Sequence, residues 1–197
     1  WTWWELRSLM LTYYSKKEAL PKQLCDGLHS IAKDLTAEEA AVIKDGDDIR
    51  MKEVRNNKIS WLENPELTSI LQLYAETANK EAGWNFHMNC FETPQISFYG
   101  KGQFYDWHMD AGVESASDPY VRKLAVCVTL NSNYKGGDMQ IQKWVHPQAG
   151  DRFATLKEMR KAGSIAVFPA FIYHRITKVK EGERCSLVCW FRGERFT

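Results

Sequence analysis

From Gly83 onward the chain falls into short runs rich in β-branched and aromatic residues, with a turn former in most of the gaps. The runs are NFHMNCF, QISFY, FYDWHMD, KLAVCVTL, DMQIQKW, SIAVF, HRITKV and CSLVCWF. Gly100, Gly102, Asn131–Asn133, Gly136-Gly137 and Gly163 lie between them. Short strands punctuated this way can hide their apolar faces in few arrangements. They predict two packed sheets, a sandwich or a barrel-like double sheet.

The first 83 residues follow a different period. Residues 16–33 predict a helix capped by Ser15, with Leu20, Leu24, Leu28 and Ile31 on one stripe. Thr36-Ala37-Glu38-Glu39 has the form of a capping box opening a short helix that Gly46 would end. Residues 47–62 read as extended, and WTWWEL at the start reads as a short aromatic strand. Asn64-Pro65-Glu66 opens a second long helix to about Ala82, with Leu67, Ile70, Leu71, Tyr74 and Ala78 on one face. The expected class is α+β with a mainly β core and the helices packed on one sheet. We expect one domain over residues 1–197, with 1–83 as helical support and 84–197 as the β core.

Bulk properties weigh against several roles. The net charge of +1 lacks the strongly basic face of a nucleic-acid binder. No apolar run approaches the roughly 18 residues of a membrane span. The start, WTWWELRSLM, lacks a signal peptide's charged end and apolar core, and it lacks an initiator Met, so the numbering is expected to begin inside a longer product. The cysteines, Cys25, Cys90, Cys127, Cys185 and Cys189, are odd in number and contain no Cys-x-x-Cys. Cys185 and Cys189 would lie about 13 Å apart along one strand, too far for a disulfide. All five read as reduced thiols in a cytoplasmic setting.

Chemistry gathers in FYDWHMDAG. On a strand, residues i and i+2 share a face, so His108 and Asp110 would project side by side. A metal site needs another donor. Of His29, His87, His146 and His174, the last is delivered by the apolar run SIAVFPAFIY to the head of a late strand. Two imidazoles and a carboxylate leave one face of an octahedral ion open, which suits non-haem Fe(II) oxygenases. A catalytic zinc site uses the same donors. Arg184 follows ten residues after His174 and shares a strand face with Ser186, Val188 and Trp190, while Cys185, Leu187, Cys189 and Phe191 form the opposite, apolar face. An inward arginine is costly unless it meets an anion, and its planar fork matches a carboxylate. A hairpin with the three-residue loop Glu181-Gly182-Glu183 would set His174 opposite Trp190, with Arg184 about 20 Å along the same face. A dicarboxylate could bridge that gap.

As a set, YGKGQFYDWHMD, RKLAVCVTLN, YKGGDMQI and AGSIAVFPAFIYHRITKVKEGERCSLVCWFRG resemble the PKHD-type hydroxylases, in the prolyl 4-hydroxylase-like branch of the 2-oxoglutarate- and Fe(II)-dependent dioxygenases. The resemblance covers about residues 95–193. It implies a double-stranded β-helix (jelly roll), iron held by His108, Asp110 and His174, and the distal carboxylate of 2-oxoglutarate held by Arg184 with Tyr99 and Ser186. The animal collagen prolyl hydroxylases carry lysine where this chain has Arg184, so the match is better to bacterial and viral-type members.

The implied reaction uses O2 and converts 2-oxoglutarate to succinate and CO2 while hydroxylating an unactivated C–H bond, with ascorbate as a possible reductant. The expected substrate is a prolyl or other amino-acid residue in a peptide or protein, or a free amino acid. A small metabolite or nucleobase oxidase, and a non-oxidative jelly-roll binding or zinc protein, are the alternatives. The small, polar segment Ala111–Val121 reads as a lid, with Trp107, Tyr120 and Trp144 as candidate substrate walls. The segment Trp144–Phe153 reads either as a second lid or as an exposed insertion. Oligomeric state is not legible.

Overall fold

The computed structural model describes residues 11–35, 37–44, 47–49, 51–112, 114, 117–143 and 152–196. The expected strand in WTWWEL, the Thr36 cap, Gly46, Trp144 and His146 lie outside the described residues.

The first 81 residues supply short strands and two helices. Strand β1 (Tyr14–Lys16) precedes helix α1 (Lys22–Asp34). Strands β2 (Glu38–Glu39), β3 (Val42–Lys44), β4 (Asp47–Ile49), β5 (Arg55–Asn56) and β6 (Lys58–Trp61) then lead to helix α2 (Pro65–Glu81). The β half follows as β7 (Cys90–Phe91), β8 (Gln95–Tyr99), β9 (Phe104–His108), β10 (Tyr120–Thr129), β11 (Lys135–Gly136), β12 (Met139–Gln142) and β13 (Phe153–Thr155). A 3-10 turn at Lys157–Arg160 leads to β14 (Ile165–Pro169), β15 (His174–Ile176), β16 (Val179–Glu181) and β17 (Arg184–Glu194).

Eight strands form one sheet in the order β1-β14-β10-β17-β8-β6-β2, with β7 alongside β17. Five form a second sheet in the order β13-β12-β15-β9-β5. One apolar cluster joins α1 and α2 to the outer face of the large sheet, through Cys25, Leu28, Leu67, Leu71, Ala78, Val126, Cys185, Leu187 and Cys189. A second cluster lies between the sheets and includes Tyr99, Ala125, Ile141, Phe168, Ile176 and Trp190. The order of layers is therefore helices, large sheet, small sheet, as the two sequence periods require. Among the described residues no helix is long and apolar enough to cross a membrane, and all five cysteines are free.

Helix α2 begins where the sequence predicts. The Asn64 side chain accepts a 2.8 Å hydrogen bond from the Leu67 N–H, Pro65 takes the first helical position, and the buried residues are Leu67, Thr68, Leu71, Ala75 and Ala78. Helix α1 differs from expectation. It starts at Lys22, not residue 16, because the residue before Pro21 is sterically barred from the helical region. Ser15 lies in β1 and donates to Glu158 at 2.6 Å instead of capping. The buried stripe is Cys25, Leu28 and Ala32, and Ile31 is exposed. The short helix expected after Thr36 is also absent. Glu38 and Glu39 pair with Ile59 and Lys58 at the sheet edge, a tertiary pairing that overrides the local capping signal.

Candidate metal centre and its cavity

Strand β9 ends at His108, so Asp110 stands in the bend that follows it, with its N–H bonded to the Ala170 carbonyl at 2.9 Å. His174 opens β15 and sits directly opposite His108 in the antiparallel ladder. Nε2 of His108 lies 3.7 Å from Asp110 Oδ1, and Nε2 of His174 lies 3.6 Å from Asp110 Oδ2. One ligand atom from each of the three residues lies within 4.8 Å of the others.

The rings are turned for coordination. Nδ1 of His108 meets the Asp106 carbonyl at 2.7 Å, and Nδ1 of His174 meets the Ile172 carbonyl at 3.0 Å. A donor engaged at Nδ1 leaves the Nε2 lone pair toward the carboxylate, the tautomer a metal requires. Burial, with His174 alongside, pushes the His108 imidazole down to about 3, so the ring is neutral near pH 7. Burial opposes ionisation of Asp110, yet His174, His108 and Arg122 outweigh it and hold the carboxyl below the usual carboxylate range. Two imidazoles and a carboxylate, presented this way, fit a divalent ion with open coordination positions.

The triad opens on a cavity of about 430 Å³ between the two sheets. Arg184 and Tyr99 are register partners on β17 and β8 and both line it, with Arg184 Cζ 5.4 Å from the Tyr99 ring centroid. Arg184 is 2% exposed; its Nη1 donates to Ser186 Oγ at 2.7 Å, while its Nε has no hydrogen-bond partner. The expected faces of this strand hold: Arg184, Ser186, Val188 and Trp190 line the cavity, and Cys185, Cys189 and Phe191 pack beneath the helices. Gly137, at φ +61°, passes so close that a Cβ there would lie 3.1 Å from Arg184 Cδ, which accounts for glycine in the GGD run. A buried guanidinium with an unmet donor, in a cavity shared with the triad, fits the far carboxylate of a dicarboxylic acid.

The route to this arrangement is not the expected hairpin. β15 pairs with β12 and β9, β16 pairs with β11, and β17 lies in the other sheet between β10 and β8. His174 therefore faces His108, not Trp190. The turn is Gly182-Glu183, with Gly182 at φ +73°. Arg184 reaches the cavity because the two sheets face each other.

Of the candidate substrate aromatics, the two that are described, Trp107 and Tyr120, do not line the cavity. Trp107 points away by strand alternation, edge-on to Phe153 at 5.9 Å and beneath Arg175 at 4.8 Å. Tyr120 starts β10 opposite Glu194, and its carbonyl accepts from Arg192. Of the expected lid, Glu114 accepts the Arg122 N–H at 2.6 Å and Asp118 pairs with Arg192, so its described ends are tied to strands. His87 is exposed and His29 half-buried, and neither belongs to the triad.

Other cavity residues escaped the sequence reading. Tyr105 stacks on His108 at 3.4 Å between ring centroids. Simple alternation separates residues three apart, but two residues of β15 span three of β9, and this bulge turns Tyr105 to the cavity side. Arg122 lies over the Trp190 ring at 3.9 Å, forms a two-point ion pair with Glu92, and donates to the Asp110 carbonyl at 3.3 Å. Its position twelve residues after Asp110 carried no signal of this, because Glu92 comes from a different strand connection.

The 2OG-Fe(II) oxygenase superfamily model matches residues 94–192, half of the chain, and the chain belongs to that superfamily. Curated relatives include a PKHD-type hydroxylase of Shewanella oneidensis and another of Hyphomonas neptunium, each 30% identical over 106 residues. The match covers 52% of this chain and 44% of either relative, so the chain spans about half the length of the curated relatives it matches. The fold resembles a Pseudomonas putida prolyl-4-hydroxylase, with a TM-score of 0.71 at 19% identity over 93% of this chain and 94% of that one. A viral collagen prolyl hydroxylase from Paramecium bursaria Chlorella virus-1, solved with 2OG, gives 0.65 at 21% identity over 92% and 96%.

Proposed function

We propose that the chain is a 2-oxoglutarate- and Fe(II)-dependent dioxygenase that hydroxylates an unactivated C–H bond, with a prolyl or other amino-acid residue of a peptide or protein as the favoured substrate. The proposal treats residues 1–197 as one dioxygenase domain built on a double-stranded β-helix, working in the reducing cytoplasm that five free thiols suit. His108, Asp110 and His174 would hold Fe(II), and Arg184, Ser186 and Tyr99 would hold the distal carboxylate of 2-oxoglutarate. When bound, the metal and co-substrate supply the activation of O2.

This chain's residues supply placement. Nδ1 contacts to two backbone carbonyls fix both imidazoles, and the Arg122 contact to the Asp110 carbonyl holds that residue's backbone in place. The apolar walls, among them Met139, Ile176 and Trp190, keep water from the reacting centre. The observation that carries the reading is the buried Arg184 with its unmet Nε, in the same cavity as the three-ligand cluster. The homologues named PKHD-type hydroxylase and the prolyl hydroxylase folds support the reaction class and favour proline.

The test is an anaerobic titration of Fe(II)-loaded protein with 2-oxoglutarate. A weak visible charge-transfer band should appear, and it should vanish in His174→Ala. Absence of both band and binding in the wild type would refute the reading.

A further inference from the structure

The cavity holds three arginines, and each has a different electrostatic balance. Arg184 lies at the buried end, beside Ser186. Arg122 is neutralised by Glu92, which meets its Nε at 2.8 Å and its Nη2 at 2.5 Å. Arg55, from β5 at the edge of the small sheet, has neutral partners. Its Nε donates to Asn57 Oδ1 at 3.0 Å and its Nη1 to the Ala41 carbonyl at 3.0 Å. No carboxylate pairs with it among the described residues. The acids that share this side of the cavity are engaged elsewhere: Glu38 accepts from Trp61 Nε1, and Glu39 pairs with Lys52 at 3.2 Å.

Arg55 is also held in place. Its guanidinium lies 4.5 Å from the Tyr105 ring centroid, and Tyr105 in turn stacks on His108. Asn57, which fixes Nε, is itself buried and donates to the Lys58 carbonyl at 3.1 Å. The cation is thus one aromatic ring away from His108, oriented by neutral acceptors, and among the described residues its Nη2 makes no hydrogen bond. A fixed planar cation at a cavity wall, with no carboxylate paired to it among the described residues, is suited to a carboxylate.

We propose that Arg55 binds a carboxylate of the substrate that is oxidised, making the enzyme selective for acids: a free amino acid, a peptide C-terminus or an acidic side chain beside the target. The proposal rests on the dioxygenase reading, in which Arg184 takes the co-substrate and leaves Arg55 for the second molecule.

The test uses matched probes: N-acetyl-L-proline with N-acetyl-L-prolinamide, and N-acetyl-glutamate amide with N-acetyl-glutamine amide. Binding is read by ligand-observed NMR on the protein loaded with Zn(II) and 2-oxoglutarate, and again on metal-free protein. In the wild type a carboxylate member should bind about ten-fold more tightly than its amide, in line with a charge-assisted hydrogen-bonded pair. Arg55→Gln should abolish the difference, and Arg55→Lys should restore part of it. Both variants should keep the wild-type melting temperature and their 2-oxoglutarate binding.

Equal binding of acid and amide, no binding of any probe, or an undiminished preference in Arg55→Gln would overturn the proposal. So would a loss of 2-oxoglutarate affinity in Arg55→Gln, since Arg55 would then serve the co-substrate. Failure of the dioxygenase reading is separately visible: wild-type protein would bind no 2-oxoglutarate with metal, whatever the metal-free probe preference.

Discussion

The two faces of β17 set the two halves of this molecule side by side. Toward the helices, Cys185, Cys189 and Phe191 join a cluster of buried apolar side chains. Toward the small sheet, the same strand buries Arg184 and Ser186 and lines a cavity holding three arginines, two histidines and an aspartate. The first face lowers the free energy of the fold by removing apolar area from water. The second raises it, since buried polar groups lose hydration that the protein returns incompletely, as the unmet Arg184 Nε illustrates. Substitutions on the helix side should therefore change stability and spare the site, and substitutions on the cavity side should do the reverse.

The largest stability effect is expected from Leu71→Ala. Leu71 is fully buried between α2 and the large sheet, so its truncation should cost about 2–5 kcal/mol in a urea unfolding titration. Binding of 2-oxoglutarate by the remaining folded protein should be unchanged. A matching loss of binding affinity would mean that the helical layer controls the cavity and that the two faces are not separable.

Arg184→Met is the complementary experiment. Removing a buried cation that lacks a full set of partners should leave the stability of ligand-free protein unchanged or increased. Affinity for 2-oxoglutarate should fall by roughly 2–3 kcal/mol, the value of hydrogen bonds to a charged group. A large loss of stability with binding intact would reassign Arg184 to the structural half.

Proton linkage separates the halves by pH. The folded chain keeps His108 neutral down to about 3, whereas the unfolded chain takes up a proton near the ordinary value of 6.5. The unfolded state thus binds more protons below about 6.5, and metal-free protein should lose stability as pH falls through that range. The slope for one such group approaches about 1.4 kcal/mol per pH unit. His29, lowered by burial with Lys33 nearby, contributes in the same direction. Urea midpoints at pH 7, 6 and 5 should fall in wild type and fall less in His108→Gln. Parallel curves would show that the cavity histidine is not held neutral.

What was legible in the sequence follows from the range of the interactions. Strand faces obey a period of two set by the backbone, so the division of β17 into Arg184/Ser186 and Cys185/Leu187 could be read directly. The cluster of His108, Asp110 and His174 was legible because its members stand at or just beyond strand ends. The start of α1 was also available, since Pro21 bars its predecessor from the helix, but the longer hydrophobic stripe obscured it. The bulge that turns Tyr105 inward, the Glu92 partner of Arg122, and the sheet-to-sheet path between His174 and Arg184 depend on pairings between distant segments. No local pattern encodes them.

The smallest effect is expected at a feature read entirely from local sequence. Asn64 caps α2 by accepting the Leu67 N–H, on the layer remote from the cavity. Asn64→Ala should cost about 1 kcal/mol, and Asn64→Asp should retain most of the stability because its carboxylate can accept the same bond. Neither change should alter the 2-oxoglutarate titration. A cap substitution that shifted the titration midpoint would mean that α2 transmits strain through the large sheet to Arg184. The contrast between the two faces of β17 would then be one of degree, with the helical layer tuning the site it was expected merely to support.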